Sequence, residues 1–255
     1  MEILHSKIQG EGTPLIILHG YFGMGDNWKS HANKLSDNYQ VHLVDQRNHG
    51  RSFHSDDFDY ELLVEDLEAY FEFHNIENAI VLGHSMGGKT AMLFAVTFPE
   101  KVQKLIVADI APKNYPPHHH QILEALVAVD FSKITLRTEV DEVLKQYIDE
   151  MGVRQFLLKN VYRKTKDQLD FRFNLESLTE NNNEVGAPLP AFTEYDGEVL
   201  FLRGANSGYI ADSDTALIEA HFSKAKIVTI ANAGHWLHAE NPVDFMNELQ
   251  LFLKS

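Results

Sequence analysis

The sequence predicts an α/β protein, a doubly wound, mostly parallel sheet with one helical insertion. Three observations predict it. Short continuous apolar runs recur along the chain, helical patterns separate most of them, and one interval is too long for a simple crossover. Continuous β-branched or leucine-rich runs suit strands buried on both faces of a parallel sheet. Alternation of strand and helix then implies right-handed crossovers.

The first run is Pro14–Leu18 (PLIIL), which leads into HGYFGMGDNW. The second, Val41–Val44 (VHLV), opens onto DQRNHGRS. Tyr60–His74 places Leu63, Leu67, Tyr70 and Phe71 on one helical face. Ala79–Leu82 (AIVL) runs into GHSMGGK, and a helical pattern follows over Met86–Phe98. Leu105–Ala108 (LIVA) ends at Asp109.

There the rhythm breaks, because the next run, Val199–Leu202 (VLFL), begins only near Glu198. We take 113–196 as a helical lid inserted into a core made of 1–112 and 197–255. Helical patterns are read at Gln121–Val129, Glu139–Glu150 and Val153–Val161, and Asn181–Pro190 reads as a loop returning to the sheet. The insertion is rich in aromatic residues, among them Tyr115, Phe156, Phe171, Phe173 and Phe192. We expect some of them to line an apolar pocket. Asp214–Phe222 reads as a helix, Ile227–Ile230 (IVTI) as the last strand, and Pro242–Leu253 as the closing helix.

The chain has 255 residues, enough for one large α/β unit. Its formal charge of −15 offers no basic footprint for nucleic acid and would be repelled by an anionic membrane. It has no cysteine, hence no disulfide framework, which suits a reducing cytosol. No stretch has the roughly 20 apolar residues of a membrane span, and no cationic leader is visible. These features suggest a soluble cytoplasmic protein acting on a small molecule.

Gly83-His84-Ser85-Met86-Gly87 is a G-x-S-x-G pattern between a strand and a helix, the context in which it carries meaning. A turn that tight strains the serine backbone and leaves no room for side chains two positions away. Glycine fits there, and the hydroxyl is lifted to the carboxyl edge of the sheet. Serine is a weak nucleophile and needs a base with an orienting acid. Of the 14 histidines, His235 sits in the loop after the last strand, at the same sheet edge. His238 is expected to bond locally.

The acid is less direct. After VLFL comes RGANSGYI, with no carboxylate before Asp212, which reads as a helix N-cap. Asp109 ends the preceding strand, where a carboxylate would need a partner such as His235. Asp109 is therefore the first choice and Asp212 the second. The N–H groups of Tyr21 and Met86 are the expected oxyanion donors, with His19 tying the first loop down. Phe22 and Trp236 are the expected substrate contacts, with Trp236 at the pocket mouth. Consecutive histidines rarely converge on one ion, so His118–His120 is read as a solvated or lid-facing run rather than a metal site.

HGYFG, DQRNHGRS, GHSMGGK, ADIAP and AGHWLHAENP occur in the order found in the α/β-hydrolase superfamily. The chain resembles most the small bacterial esterases of the YbfF type, over nearly its whole length, including RFN at 172–174. The resemblance implies a triad of Ser85, His235 and Asp109, hydrolysis of short- to medium-chain esters and thioesters including acyl-CoA, and no cofactor. Carbon–carbon bond or lactone hydrolysis on the same residues is the alternative enzymatic reading. A non-catalytic binding protein of this fold is the third.

Overall fold

The computed structural model describes residues 2–255. Along the chain run β1 (Ser6–Gln9), β2 (Thr13–Leu18), α1 (Lys29–Leu35), β3 (Tyr39–Val44), α2 (Tyr60–Phe73), β4 (Ala79–His84), α3 (Met86–Thr97) and β5 (Val102–Ala108). A long excursion follows, with α4 (His120–Val127), α5 (Arg137–Leu144), α6 (Met151–Leu158), the short strands β6 (Val161–Arg163) and β7 (Leu169–Phe171), and α7 (Leu175–Glu180). The chain then returns through β8 (Glu198–Gly204), α8 (Thr215–His221), β9 (Ala225–Ile230), α9 (Leu237–Glu240) and α10 (Pro242–Lys254).

Among the described residues, seven strands form one sheet in the order β1-β3-β2-β4-β5-β8-β9. Only β1 is antiparallel, paired with β3 from Ser6 opposite Val44 to Gln9 opposite Val41. Successive side chains on a strand point to opposite faces, and the core divides accordingly. Ile16, Leu18, Val81, Leu105 and Val107 pack on one face with α2 and α3. Leu15, Ile17, Leu82, Ile106 and Ala108 pack on the other with α1 and α10. The six strands read from the sequence are all present. β9 is the exception to two-sided burial, because it is the sheet edge and most of its residues keep some exposure.

The excursion between β5 and β8 differs from expectation in its boundaries. α5 begins early because the Glu139 carboxylate accepts the N–H groups of Thr135 and Leu136, at 3.0 and 2.9 Å. It ends at Leu144, and the carbonyls of Ile148 and Asp149 are taken by the Arg154 guanidinium at 2.8 and 2.7 Å. α6 stops at Leu158, where the buried Asn160 side chain donates to the Phe22 carbonyl at 2.8 Å. Val161 then enters a hairpin instead of extending the helix.

The two ends of this segment run side by side. Tyr115 N–H donates to Gly186 O at 2.9 Å and Leu189 N–H to Pro112 O at 3.0 Å. Beneath them the fully buried Lys89 of α3 donates to the carbonyls of Lys113 and Ala187, at 2.5 and 2.6 Å. The apolar side of the segment, including Leu126, Leu157, Phe171 and Leu178, joins the core around Tyr21 and Phe22.

The loop after β3 is held by Arg47. Its guanidinium grips Asp66 of α2 with two bonds of 2.6 and 2.8 Å, both side chains being buried. Removing one partner leaves a buried charge uncompensated, at a cost of about 3–5 kcal/mol. Asp66→Ala is therefore expected to lower unfolding stability by about that amount in urea denaturation, and Arg47→Met with Asp66→Leu to recover most of it. A single variant as stable as the parent would show that the pair is not holding the loop.

Candidate active site

The elbow forms as the sequence requires. Ser85 has φ 53° and ψ −118°, a sparsely populated conformation costing about 1–3 kcal/mol. It is held by Ser85 N–H to Ala108 O and Lys89 N–H to Ser85 O, both 3.0 Å. A side chain on Gly83 would run into the Gly87 backbone, and one on Gly87 would sit 2.5 Å from the Leu18 carbonyl oxygen. Glycine at 87 thus lets α3 approach the end of β2, where the HGYFG loop begins.

Ser85, His235 and Asp109 lie in one hydrogen-bonded line. Ser85 Oγ is 3.0 Å from His235 Nε2, and His235 Nδ1 is 2.8 Å from Asp109 Oδ2. A carboxylate only accepts, so Nδ1 carries the proton and Nε2 is free to accept from the hydroxyl. Asp109 has no exposed surface. Its other donors are Gly204 N–H at 2.9 Å and the Ser207 hydroxyl. The loop carrying His235 is pinned by Glu240, whose carboxylate accepts Gly234 N–H at 2.7 Å and Trp236 N–H at 3.2 Å. His84, inside the elbow, bonds through Nε2 to the backbone oxygen of His235 at 2.8 Å.

Asp212 is elsewhere. Its side chain is 92% exposed and pairs with Arg203 at 2.6 Å. It is not the cap expected there either, because Asp214 accepts Ala211 N–H at 2.8 Å.

Tyr21 and Met86 flank the serine. Met86 opens α3, where the helix dipole favours negative charge. Among the described residues, neither the Tyr21 nor the Met86 N–H donates to a protein acceptor. The Phe22 N–H is already used, donating to His49 Nε2 at 3.2 Å. His19 accepts Gln46 N–H at Nε2 (3.0 Å) and donates from Nδ1 to Gly20 O (2.8 Å), so it fastens the loop.

The serine opens into a cleft of about 470 Å³. Tyr21, Phe22, Phe156 and Trp236 are among its walls, with Phe156 and Trp236 rings 5.8 Å apart. Of the aromatic residues expected from 113–196 to line a pocket, Phe156 does so. Phe171 and Phe173 stack on each other in the core at 4.8 Å, and Phe192 is fully exposed. His118 and His119 line the cleft, as a lid-facing run would, while His118 and His120 also stay exposed. Among the described residues, no three His, Cys, Asp or Glu side chains are grouped to hold a metal ion. No helix of the described residues is long and apolar enough to cross a membrane.

Sequence reasoning missed Ser207, Tyr209 and His84 as neighbours of the His235–Asp109 pair. For Ser207 and Tyr209 the one available signal was ANSGYI, a stretch standing where a carboxylate was sought and absent.

A strained serine at a strand–helix turn, a histidine after the last strand and a buried aspartate at one sheet edge define a hydrolase built on the α/β scaffold. The chain belongs to the α/β-hydrolase fold family, whose model matches residues 13–242, and is an enzyme of the esterase type. It is 32% identical to esterase YbfF of Escherichia coli, covering 96% of this chain and 94% of that protein. It is 36% identical to the sn-1-specific diacylglycerol lipase ABHD11 of Danio rerio, covering 96% and 80%. A solved marine microorganism esterase matches with TM-score 0.96 and 44% identity, over 99% of this chain and all of that one.

Burial gives the site a defined acid sensitivity. Desolvation holds His19 at a pKa of about 4, and His49 and His84 at about 3, against 6.5 unperturbed. Between those values and 6.5 the unfolded chain binds protons that the folded one refuses. Stability is therefore full above about pH 6.5 and falls as pH drops toward 4. Each such histidine contributes a slope of up to about 1.4 kcal/mol per pH unit. Denaturation at pH 7, 6, 5 and 4 should show His49→Gln with a slope shallower by about that amount. An unchanged slope would mean that His49 takes up its proton in the fold as readily as in the unfolded chain.

Proposed function

We propose that the chain is a serine hydrolase that cleaves short- to medium-chain carboxylic esters, and thioesters such as acyl-CoA, through an acyl-enzyme. The observation that carries this is the continuous line from Ser85 through His235 to Asp109, opening on an apolar cleft. The names of the relatives support it: an esterase and a diacylglycerol lipase both cleave carboxylic esters.

In this reading Ser85 Oγ attacks the substrate carbonyl carbon while its proton passes to His235 Nε2. The tetrahedral oxyanion is met by the N–H groups of Tyr21 and Met86. Two donors there lower the barrier by several kcal/mol, since losing one costs about 10²–10³ in rate. On collapse His235 gives its proton to the leaving alkoxide or thiolate. A water molecule then repeats the sequence on the acyl-enzyme and releases the acid. Asp109 keeps Nδ1 protonated and stabilises the imidazolium. Residues 113–196 act as a lid on the core of 1–112 and 197–255, contributing Phe156 to the cleft. Phe22 and Trp236 contact the acyl group.

Ser85→Ala is expected to abolish turnover of p-nitrophenyl butyrate, and Asp109→Asn to cut kcat by about 10³- to 10⁴-fold. Asp212→Asn should leave kcat at the parental value. Full turnover by Ser85→Ala would refute the proposal, and a larger loss at 212 than at 109 would overturn the choice of acid. A chain-length series of p-nitrophenyl and acyl-CoA substrates then ranks esters against thioesters.

A further inference from the structure

His235 is constrained by more than its two ring nitrogens. Those two bonds leave the imidazole free to rock about the line joining Asp109 to Ser85. The ring of Tyr209 lies against the imidazole, with centroids 3.9 Å apart and planes 16° from parallel. His84, the other close ring, is tilted by 41° at 4.8 Å and is engaged with the His235 backbone. Tyr209 is therefore the flat surface on which the base rests.

Tyr209 is itself fixed from several sides. Its N–H donates to Ser207 Oγ at 3.2 Å, the hydroxyl that also bonds Asp109. Its carbonyl accepts the Tyr115 hydroxyl at 2.5 Å, and Tyr115 in turn accepts Ala111 N–H at 2.8 Å. Its hydroxyl meets His118 Nε2 at 2.5 Å. His118 Nδ1 donates to Pro116 O at 3.0 Å, so Nε2 accepts and the phenol donates. Burial holds that phenol up at about pKa 12, which keeps the donor proton in place. Tyr115 and His118 both belong to the first stretch of the excursion, immediately after β5.

We infer that Tyr209 is a positioning residue: its ring sets the plane of the His235 imidazole, and Tyr115 and His118 transmit the seat of the 113–196 segment to that ring. The inference rests on the function proposed above only in assigning His235 as the base. A stacked aromatic pair fixes orientation and contributes beyond simple burial. A base that can rock spends less time aligned with the hydroxyl, which lowers kcat more than KM.

The test uses the full chain with the ring removed (Tyr209→Leu, and Tyr209→Gln as a second such variant) or kept (Tyr209→Phe). Two readouts are taken: turnover of p-nitrophenyl butyrate, and the low-field proton resonance that is present in the parent and missing from His235→Phe. Removing the ring is expected to lower kcat about ten- to a hundredfold with KM within about threefold. The low-field resonance should broaden or vanish through exchange with water. Tyr209→Phe should keep the resonance and hold kcat within about threefold of the parent. A folded ring-less variant with parental kcat and resonance overturns the inference. So does Tyr209→Phe falling as far as Tyr209→Leu, since the hydroxyl and not the ring would then matter. A parent chain that turns over no ester would defeat the assigned function, while the resonance alone would still decide whether Tyr209 orders the imidazole.

Discussion

Asp109 has no exposed surface, and a carboxylate can be buried only where donors replace the lost water. That constraint organises the carboxyl edge of the sheet around it. Its own backbone is in the left-handed region, φ 53°, with its N–H bonded to Leu202 O at 2.8 Å. This turns the carboxylate off the end of β5 and toward β8. The end of β8 answers with Gly204 N–H, the loop after it with the Ser207 hydroxyl, and the loop after β9 with His235. Three chain segments distant in sequence thus meet because one charge requires all of them. The Ser85 hydroxyl is reached last, through the imidazole that Asp109 has already oriented.

A second burial economy lies beside it. The HGYFG and DQRNHGRS loops pack His19 against His49, ring centroids 5.0 Å apart. Both are neutral by desolvation, and each has one nitrogen accepting a backbone N–H and the other donating to a carbonyl. Each ring therefore closes two backbone polar groups without bringing in a charge. This leaves the Tyr21 N–H available while its neighbours are satisfied, the arrangement an oxyanion site needs.

Much of this was legible in the sequence because it depends on where strands end. Ser85, Asp109 and His235 all follow apolar runs, and in a parallel sheet those ends share one edge. What was illegible depends on backbone pairing or on side chains closing loops. β1 (SKIQ) has no apolar signature, since it is fixed by its ladder with β3. The end of α6 was misplaced because Asn160 acts through a bond to Phe22, a residue from a remote loop. Ser207 and Tyr209 sit in a short polar stretch, and nothing in ANSGYI reveals that one faces a carboxylate and the other an imidazole. The aromatic content of 113–196 was visible, but not its division between cleft, core and solvent.

Lys89 ends the GHSMGGK stretch and lines no part of the cleft, yet its amino group donates to the carbonyls of Lys113 and Ala187 together. The long excursion between β5 and β8 consequently leaves and re-enters the scaffold at a single point. Geometrically it is a closed bight tied at its root. Its two ends are held side by side by that amino group together with the Tyr115–Gly186 and Leu189–Pro112 backbone bonds. The register of β5 and β8 lies outside such a bight, whose far side is separately pinned where Asn160 donates to the Phe22 carbonyl. The lysine one turn beyond Ser85 marks the root of that bight.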